Sequence, residues 1–468
     1  MTANQYESIS ACQRLQPSAL AVLMGAVLFG LICGAGRAYA AEGLARPAAT
    51  AAKVEESGDN ARLTFEFSAP VEAASAFVLA GPDRVIIDLP EVDFRLDPQA
   101  GKIGGAGPAA GTRRGRAARV KSTGLIASYR FGLFAPGKSR IVIDLGAPVR
   151  ILRARPESAD ENGQNRFVIE LCRTDRQSFR TAVQVARASL NTKANAQPHE
   201  EPHSKTQEAS PQPVVVIDPG HGGIDSGAMV NGFVEKTLVF DFAKTLASKL
   251  AASHYFKIVL TRDEDVFIPL GERVKIAQAS NATLFVSIHA DTLSDTSDVS
   301  GATVYTVSDR ASDAEAARIA EKENQADSVA GLDGQEDAGD VSDILFDLTR
   351  RETRAYSHVF ARTLVNYWKV AGRLNKNPQR SAGFRVLKAP DVPSVLLELG
   401  YLSNEKDGLA LSSPEWRDKT ANRVAEAIEA FFAARRAGQS DSSGMEEELP
   451  AGQSPPHGSN ADVAGVSH

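Results

Sequence analysis

Cysteine is scarce: the 468 residues hold three, and two of them, Cys12 and Cys33, fall in an N-terminal segment expected to be removed. Cys172 is left without a partner, so no disulfide framework is expected and the chain must be held by its cores. Excess positive charge is missing as well. Lys+Arg 52 against Asp+Glu 58 gives a formal net charge of -6, which argues against a nucleic-acid partner, because counterion release needs clustered basic residues. No apolar run reaches the ~20 residues of a membrane span. A phosphate loop ending in Gly-Lys-Ser/Thr and a G-x-S-x-G nucleophile elbow are both lacking. What is present, 43% apolar and 24% charged residues, excludes a wholly disordered or fibrous chain.

Leu20 to Cys33 is a short apolar run interrupted by Gly25 and Gly30, preceded by Arg14 and followed by Ala38-Tyr39-Ala40. That order is a secretory signal peptide, residues 1–40, with cleavage expected after Ala40 and no stable membrane anchor afterwards. There is no twin-Arg pair, and Ile32 before Cys33 is too bulky for lipoprotein processing, so ordinary export is expected.

Three later segments share one pattern: Arg84-Val-Ile-Ile-Asp-Leu89, Arg140-Ile-Val-Ile-Asp-Leu145 and Arg166-Phe-Val-Ile-Glu-Leu171. Each is β-branched and entered from a turn signal, as a strand closing a hairpin is. With the alternating Leu63, Phe65 and Phe67, they predict an all-β sandwich over residues 51–180. A Gly/Ala-rich loop, residues 101 to 112, interrupts it, and Arg113, Arg114, Arg116, Arg119 and Lys121 form a basic cluster that is either a solvated loop or a contact for an anionic surface. Residues 181–212 and 438–468 are polar and aperiodic, and are expected to be a flexible linker and a disordered tail. His199, His203, His457 and His468 lie there and are discounted as ligands.

From residue 213 to 437 the texture changes. Val214 to Ile217, Lys257 to Leu260, Leu284 to Ile288 and Ser394 to Leu397 are near-continuous apolar runs, as parallel strands covered on both faces require. Helical spacing separates them, as in Leu238, Val239, Phe242, Leu246 and Leu250. The expectation is an α/β open, mostly parallel sheet flanked by helices, which binds ligands beyond the carboxyl ends of its strands. His221 follows the first strand, His289 ends the third, Glu398 ends the last and Glu235 opens a helix. Two imidazoles and a carboxylate suit Zn²⁺ in a catalytic site with one position left for water. Taken singly, each His is more often structural, and the lesser alternative for Glu398 is a fourth ligand of a closed site.

The motifs Asp218-Pro-Gly-His-Gly-Gly-Ile-Asp-Ser-Gly-Ala228, Gly232-Phe-Val-Glu-Lys236, Thr261-Arg262, Arg273, Ser287-Ile-His-Ala-Asp291 and Pro393 to Asn404 resemble the zinc-dependent N-acetylmuramoyl-L-alanine amidases. Ser226 and Tyr401 depart from the commoner Pro and Phe. The resemblance implies Zn²⁺ ligands His221, Glu235 and His289, a catalytic carboxylate Glu398, and peptidoglycan as substrate, cut between the lactyl group of N-acetylmuramic acid and L-alanine in the periplasm. The N-terminal strands, with Tyr129-Arg130-Phe131-Gly132, resemble the AMIN domain, which implies a wall-targeting module. Arg262 and Arg273 are expected either to hold substrate carboxylates or to pin the sheet edge. A zinc peptidase of wall cross-links and a non-catalytic wall-binding scaffold are the alternatives.

Residues 308–353 form an acidic insert. Ser312-Asp-Ala-Glu315 is a capping box predicting one helix through about Val329, with a loop from Gly331 to Asp340. Members of the family that act in cell separation carry an inhibitory helix here, displaced by an exported LytM-type activator. By that resemblance Glu323, or Glu321, is expected to reach the metal. Ile344, Leu345, Phe346 and Leu348 are either core or an apolar docking patch.

Overall fold

The computed structural model describes residues 46–103, 124–157, 164–195, 212–293, 298–332 and 344–444. The signal segment, the basic cluster from Arg113, the loop after Leu332 and the four discounted histidines lie outside the described residues. So do the side chains of Ile344, Leu345, Phe346 and Leu348.

Nine strands come first: β1 (Ala48–Ser57), β2 (Asn60–Phe67), β3 (Ser75–Leu79), β4 (Arg84–Pro90), β5 (Asp93–Phe94), β6 (Ile126–Ala135), β7 (Lys138–Leu145), β8 (Val149–Glu157) and β9 (Asn165–Arg173). They form a five-stranded sheet, β5-β1-β2-β9-β8, and a four-stranded sheet, β3-β4-β7-β6. Alternation sends Leu63, Phe65, Phe167 and Ile169 from one sheet and Val85, Ile87, Ile141 and Ile143 from the other into a shared core. Of the three repeated segments, β4 and β7 are neighbours and β9 lies in the other sheet. Their outward residues are buried too: Ile86 and Val142 belong to a second apolar cluster with Ile224 and Phe267 of the following half.

The expected linker is shorter than the composition suggested. A helix, α1 (Arg176–Asn195), occupies its first part, because Phe179 and Val183, one turn apart, are buried in the sandwich core.

The second half adds β10 (Val214–Pro219), β11 (Met229–Val230), β12 (Phe233–Val234), α2 (Glu235–Ala252), β13 (Lys257–Leu260), α3 (Leu270–Ala279), β14 (Leu284–His289) and β15 (Ala302–Val307). Then come α4 (Ala314–Glu323), α5 (Ala326–Val329), α6 (Ile344–Trp368), β16 (Leu374–Ala382), β17 (Ser394–Glu398), α7 (Glu405–Ser412) and α8 (Pro414–Gly444). The sheet order is β13-β10-β14-β17-β15-β16. It is mixed: β15 runs antiparallel to β17, and the other pairs are parallel. Val215, Ile217, Val286, Val395 and Leu397 face α2, α6 and α8, while Val216, Phe285 and Leu396 face α3 and α4. Both faces are covered, hence the unbroken apolar strands.

Three boundaries differ from expectation. The insert helix stops at Glu323, where Asn324 turns its side chain to Arg385 N–H and Gly383 O. Residues 344–353 begin the core helix α6, and α8 runs seven residues into the expected tail, to Gly444.

Candidate metal centre

Asp218, near the end of β10, organises the sheet edge. Its carboxylate is buried and accepts from Thr261 Oγ1 (2.6 Å), Ser287 Oγ (2.6 Å) and Arg273 Nη1 (2.7 Å). Arg273 also donates to Pro219 O, Ile268 O and, at 2.8 Å, the carbonyl of His221. Arg262 donates to the carbonyls of Pro219, Gly220, Lys236 and Glu264. Both guanidiniums are almost fully buried, and the hydrogen bonds they make go to the Asp218 carboxylate and to backbone carbonyls. Of the two roles considered for them, these contacts are those of residues that pin the loop.

The loop they pin turns at His221, which adopts φ 58°, a left-handed conformation that a non-glycine residue keeps only when its surroundings enforce it. Glu235 opens α2, and His289 and Glu398 are paired across β14 and β17 at their carboxyl ends. Among the described residues, His221, Glu235 and His289 bring one possible ligand atom each within 4.8 Å of one another. Glu235 Oε1 lies 3.1 Å from His221 Nε2 and 3.4 Å from His289 Nδ1. The Glu235 oxygens also accept from Ala228 and Ala290 N–H, both at 2.8 Å. The space is cut to fit: a Cβ at Gly220 would stand 2.5 Å from the His289 ring, and one at Gly227 2.7 Å from both Glu235 Oε2 and His221 Cδ2.

His221 Nε2 and His289 Nδ1 are buried and have no hydrogen-bond partner among the described residues. His221 Nδ1 sits 2.9 Å from Asp225 Oδ2; a proton held there leaves the Nε2 lone pair facing the centre, the arrangement of a metal-ligating histidine. The electrostatics ask for positive charge. Burial opposes charge on both rings, yet Asp225, Glu235 and Glu323 hold His221 well above its usual pKa, and Glu323 and Glu235 carry His289 to about 10. The three residues therefore fit a small cation.

Glu398 is fully buried. Its Oε2 accepts from Asp291 N–H at 3.0 Å, and its Oε1 has no partner among the described residues. Burial and the Asp291 carboxylate push its pKa well up, against the pull of His289.

The insert reaches this centre. Asp313 caps α4 through Glu315 and Ala316 N–H, and Ala316, Ile319 and Ala320 bury its apolar face on the sheet. Its last residue, Glu323, places Oε2 3.0 Å from His289 Nδ1 and 3.6 Å from His221 Nε2. Glu321 is exposed and is not brought to the centre. Two residues went unrecognised in the sequence. Asp225 stood four positions after His221 within the quoted motif, and Lys322, beside Glu323, pairs with the buried Asp291.

Buried imidazoles and a carboxylate at the carboxyl edge of an open α/β sheet, with a spare carboxylate beside them, are the donor set that metal-dependent hydrolases use. The comparisons narrow the class. A family model described as N-acetylmuramoyl-L-alanine amidase matches residues 215–430. The N-acetylmuramoyl-L-alanine amidase AmiC of Escherichia coli is 30% identical over 371 residues, 76% of this chain and 83% of that one. AmiA of Escherichia coli K12 is 39% identical over 230 residues, 49% of this chain and 79% of that one. The solved structure of amidase AmiC2 of Nostoc punctiforme covers 47% of this chain and 97% of its own, at 29% identity and a TM-score of 0.34. The chain belongs to the N-acetylmuramoyl-L-alanine amidase family.

Proposed function

We propose that the protein hydrolyses the amide between the lactyl group of N-acetylmuramic acid and the L-alanine of the peptidoglycan stem, with Zn²⁺ held by His221, Glu235 and His289. The observation that carries this is the convergence of two unpartnered ring nitrogens and a buried carboxylate beside a second carboxylate with a free oxygen. Zinc, when bound, supplies Lewis-acid polarisation of the scissile carbonyl and activation of water. Asp225 fixes the His221 tautomer, and Arg273 holds the His221 carbonyl. Glu398 acts as general base and then acid: its free Oε1 takes a proton from the attacking water and passes it to the leaving amine. Burial and the Asp291 carboxylate raise its pKa above the ordinary carboxylate value, the direction that favours a group which must both take and return a proton.

The same reading makes Glu323 an autoinhibitory group, since its carboxylate occupies the space in front of both histidines, where water and substrate must enter. An exported LytM-type activator displacing the insert, wall targeting by the AMIN-like sandwich, and periplasmic action in daughter-cell separation complete the proposal. No described helix is long and apolar enough to cross a membrane.

The test is mass spectrometry of the products released from peptidoglycan by the zinc-loaded full chain carrying Glu323→Gln. Intact stem peptides with free L-alanine amino termini are expected. Cut cross-links without stem release mean a peptidase, and no product from a folded, zinc-loaded protein means a wall-binding scaffold.

A further inference from the structure

The outer face of the four-stranded sheet is covered by the insert. Strands β4 and β7 set Arg84 opposite Asp144 and Asp88 opposite Arg140. Asp88 takes two hydrogen bonds from Arg140 (2.6 and 3.1 Å), and Asp144 takes two from Arg130 of β6 (2.6 and 3.1 Å). The carboxylates thus orient Arg140 and Arg130, Arg84 Nε donates to Pro82 O, and all three guanidiniums also donate beyond the sheet to three consecutive backbone carbonyls. Arg84 Nη1 donates to Ser328 O, Arg130 Nε to Val329 O at 2.9 Å, and Arg140 Nη1 to Ala330 O at 2.8 Å. Ser328 O also accepts from Gly331 N–H at 3.0 Å, and cations suit the carbonyl end of a helical turn.

Apolar packing accompanies the charges. Ala330 is buried with Ile86 and Val142 of the sheet and with Ile224 and Phe267 beside the His221 loop. Gly331 follows at φ 76°, and a Cβ there would stand 2.6 Å from Ile86 Cδ1. On its other side the segment is tied to the catalytic half, where Asp327 Oδ1 accepts from Leu270 N–H at 2.9 Å. Glu323 is five residues before the first gripped carbonyl. Burial brings the Arg84 pKa down to about 10, a cost that a merely structural surface arginine would avoid by facing water.

We propose that this sheet face is a latch for the insert: Arg84, Arg130 and Arg140 grip the carbonyls of residues 328–330 and so hold α4, with Glu323, against the His221–Glu235–His289 centre. The blocked state is then a property of both halves of the chain, and separating the sheet from the insert loosens the block. The latch rests on the reading of Glu323 as the blocking group, but holding and blocking are measured separately.

Two full-chain variants attack the latch from opposite sides. Arg84→Met removes a donor while keeping the apolar stem, and Gly331→Val forces the insert away from Ile86. Hydrogen exchange reports holding: amides of residues 314–332 are expected to exchange about tenfold faster in both variants, with β2 and β9 unchanged. Turnover of peptidoglycan by the zinc-loaded proteins reports blocking and is expected to rise by a similar factor, as it should in Glu323→Gln. Unchanged exchange over 314–332 in Gly331→Val overturns the latch, even where Glu323→Gln raises turnover and the block itself survives. Faster exchange with flat turnover in the latch variants and in Glu323→Gln keeps the contact as a holding device and overturns Glu323 as the blocking group. Should Arg84→Met loosen the sheet itself, Gly331→Val decides alone.

Discussion

The two faces of the catalytic sheet are covered in different ways. On one, α2, α6 and α8 bring Phe242, Leu246, Phe360, Leu364, Trp368 and Phe431, all essentially inaccessible to solvent. On the other, α3 with Leu270 and Ala277, and Phe384, Val386 and Leu387, supply part of the cover, and α4 adds only Ala316, Ile319 and Ala320. Full burial of a large apolar side chain is worth about 1.5–3 kcal/mol, and alanine offers far less. The helices of the first face therefore carry several times the apolar stabilisation that α4 does. They are built to stay, and α4 is cheap to lift. The chemistry stands on the permanent side: His221, His289 and Glu398 sit on or just beyond strand ends and Glu235 opens α2, whereas Glu323 arrives on the weakly held helix.

Breaking the permanent side should have the largest effect. Glu398→Gln removes the proposed proton acceptor while keeping the side-chain volume, so turnover should fall by about 10²–10⁴-fold. Elemental analysis should find the metal content of the variant equal to that of the parent; a variant that arrives metal-free would make Glu398 a ligand and sink its assignment as base. The next comparison sets Phe360→Ala against Ile319→Ala. Phe360 belongs to the permanent core, and its truncation should lower global stability by about 3–5 kcal/mol in urea unfolding. Ile319→Ala should leave the global midpoint in place and raise peptidoglycan turnover instead, because a locally opening segment contributes only up to its own opening free energy. Equal losses of global stability from the two would mean that α4 is a core element and no lid.

What could be read in advance follows the same division. β10, β14 and β17 were legible because strands buried on both faces must be apolar throughout, and their terminal residues then place His289 and Glu398 at one edge. β16, with the sequence LNKNPQRSA, was not, since an edge strand needs no apolar run and tolerates Pro378. Arg262 and Arg273 were ambiguous because a guanidinium that binds a substrate carboxylate and one that gathers groups of its own chain are the same residue type; the Asp218 carboxylate and most of the backbone carbonyls they reach lie far off in sequence. The grip of Arg84, Arg130 and Arg140 left no trace at all in residues 328–330, because the acceptors are backbone carbonyls. The early stop of α4 hinges on the Asn324 side chain finding Gly383 and Arg385, which are distant in sequence.

The ion pairs sharpen the contrast at the smallest scale. Asp218–Arg273 is almost wholly buried on both sides, whereas in Lys322–Asp291 the lysine of the insert is 45% exposed. The first should matter to folding and the second mainly to the lid. Burial alone would raise the pKa of Asp218, but Arg273, Ser287 and Thr261 together bring it below 3.8. A carboxylate whose folded pKa lies below its unfolded value stabilises fully above that unfolded value, and the contribution is lost as pH falls through the folded one. Asp218→Asn should therefore cost about 1.5–3 kcal/mol at pH 7, the worth of hydrogen bonds to a charged group. The gap between parent and variant should close as unfolding is measured from pH 5 down towards pH 2. A constant gap across that range would mean that the charge on Asp218 is not what holds the loop, and that its shape alone positions Arg273 beneath His221.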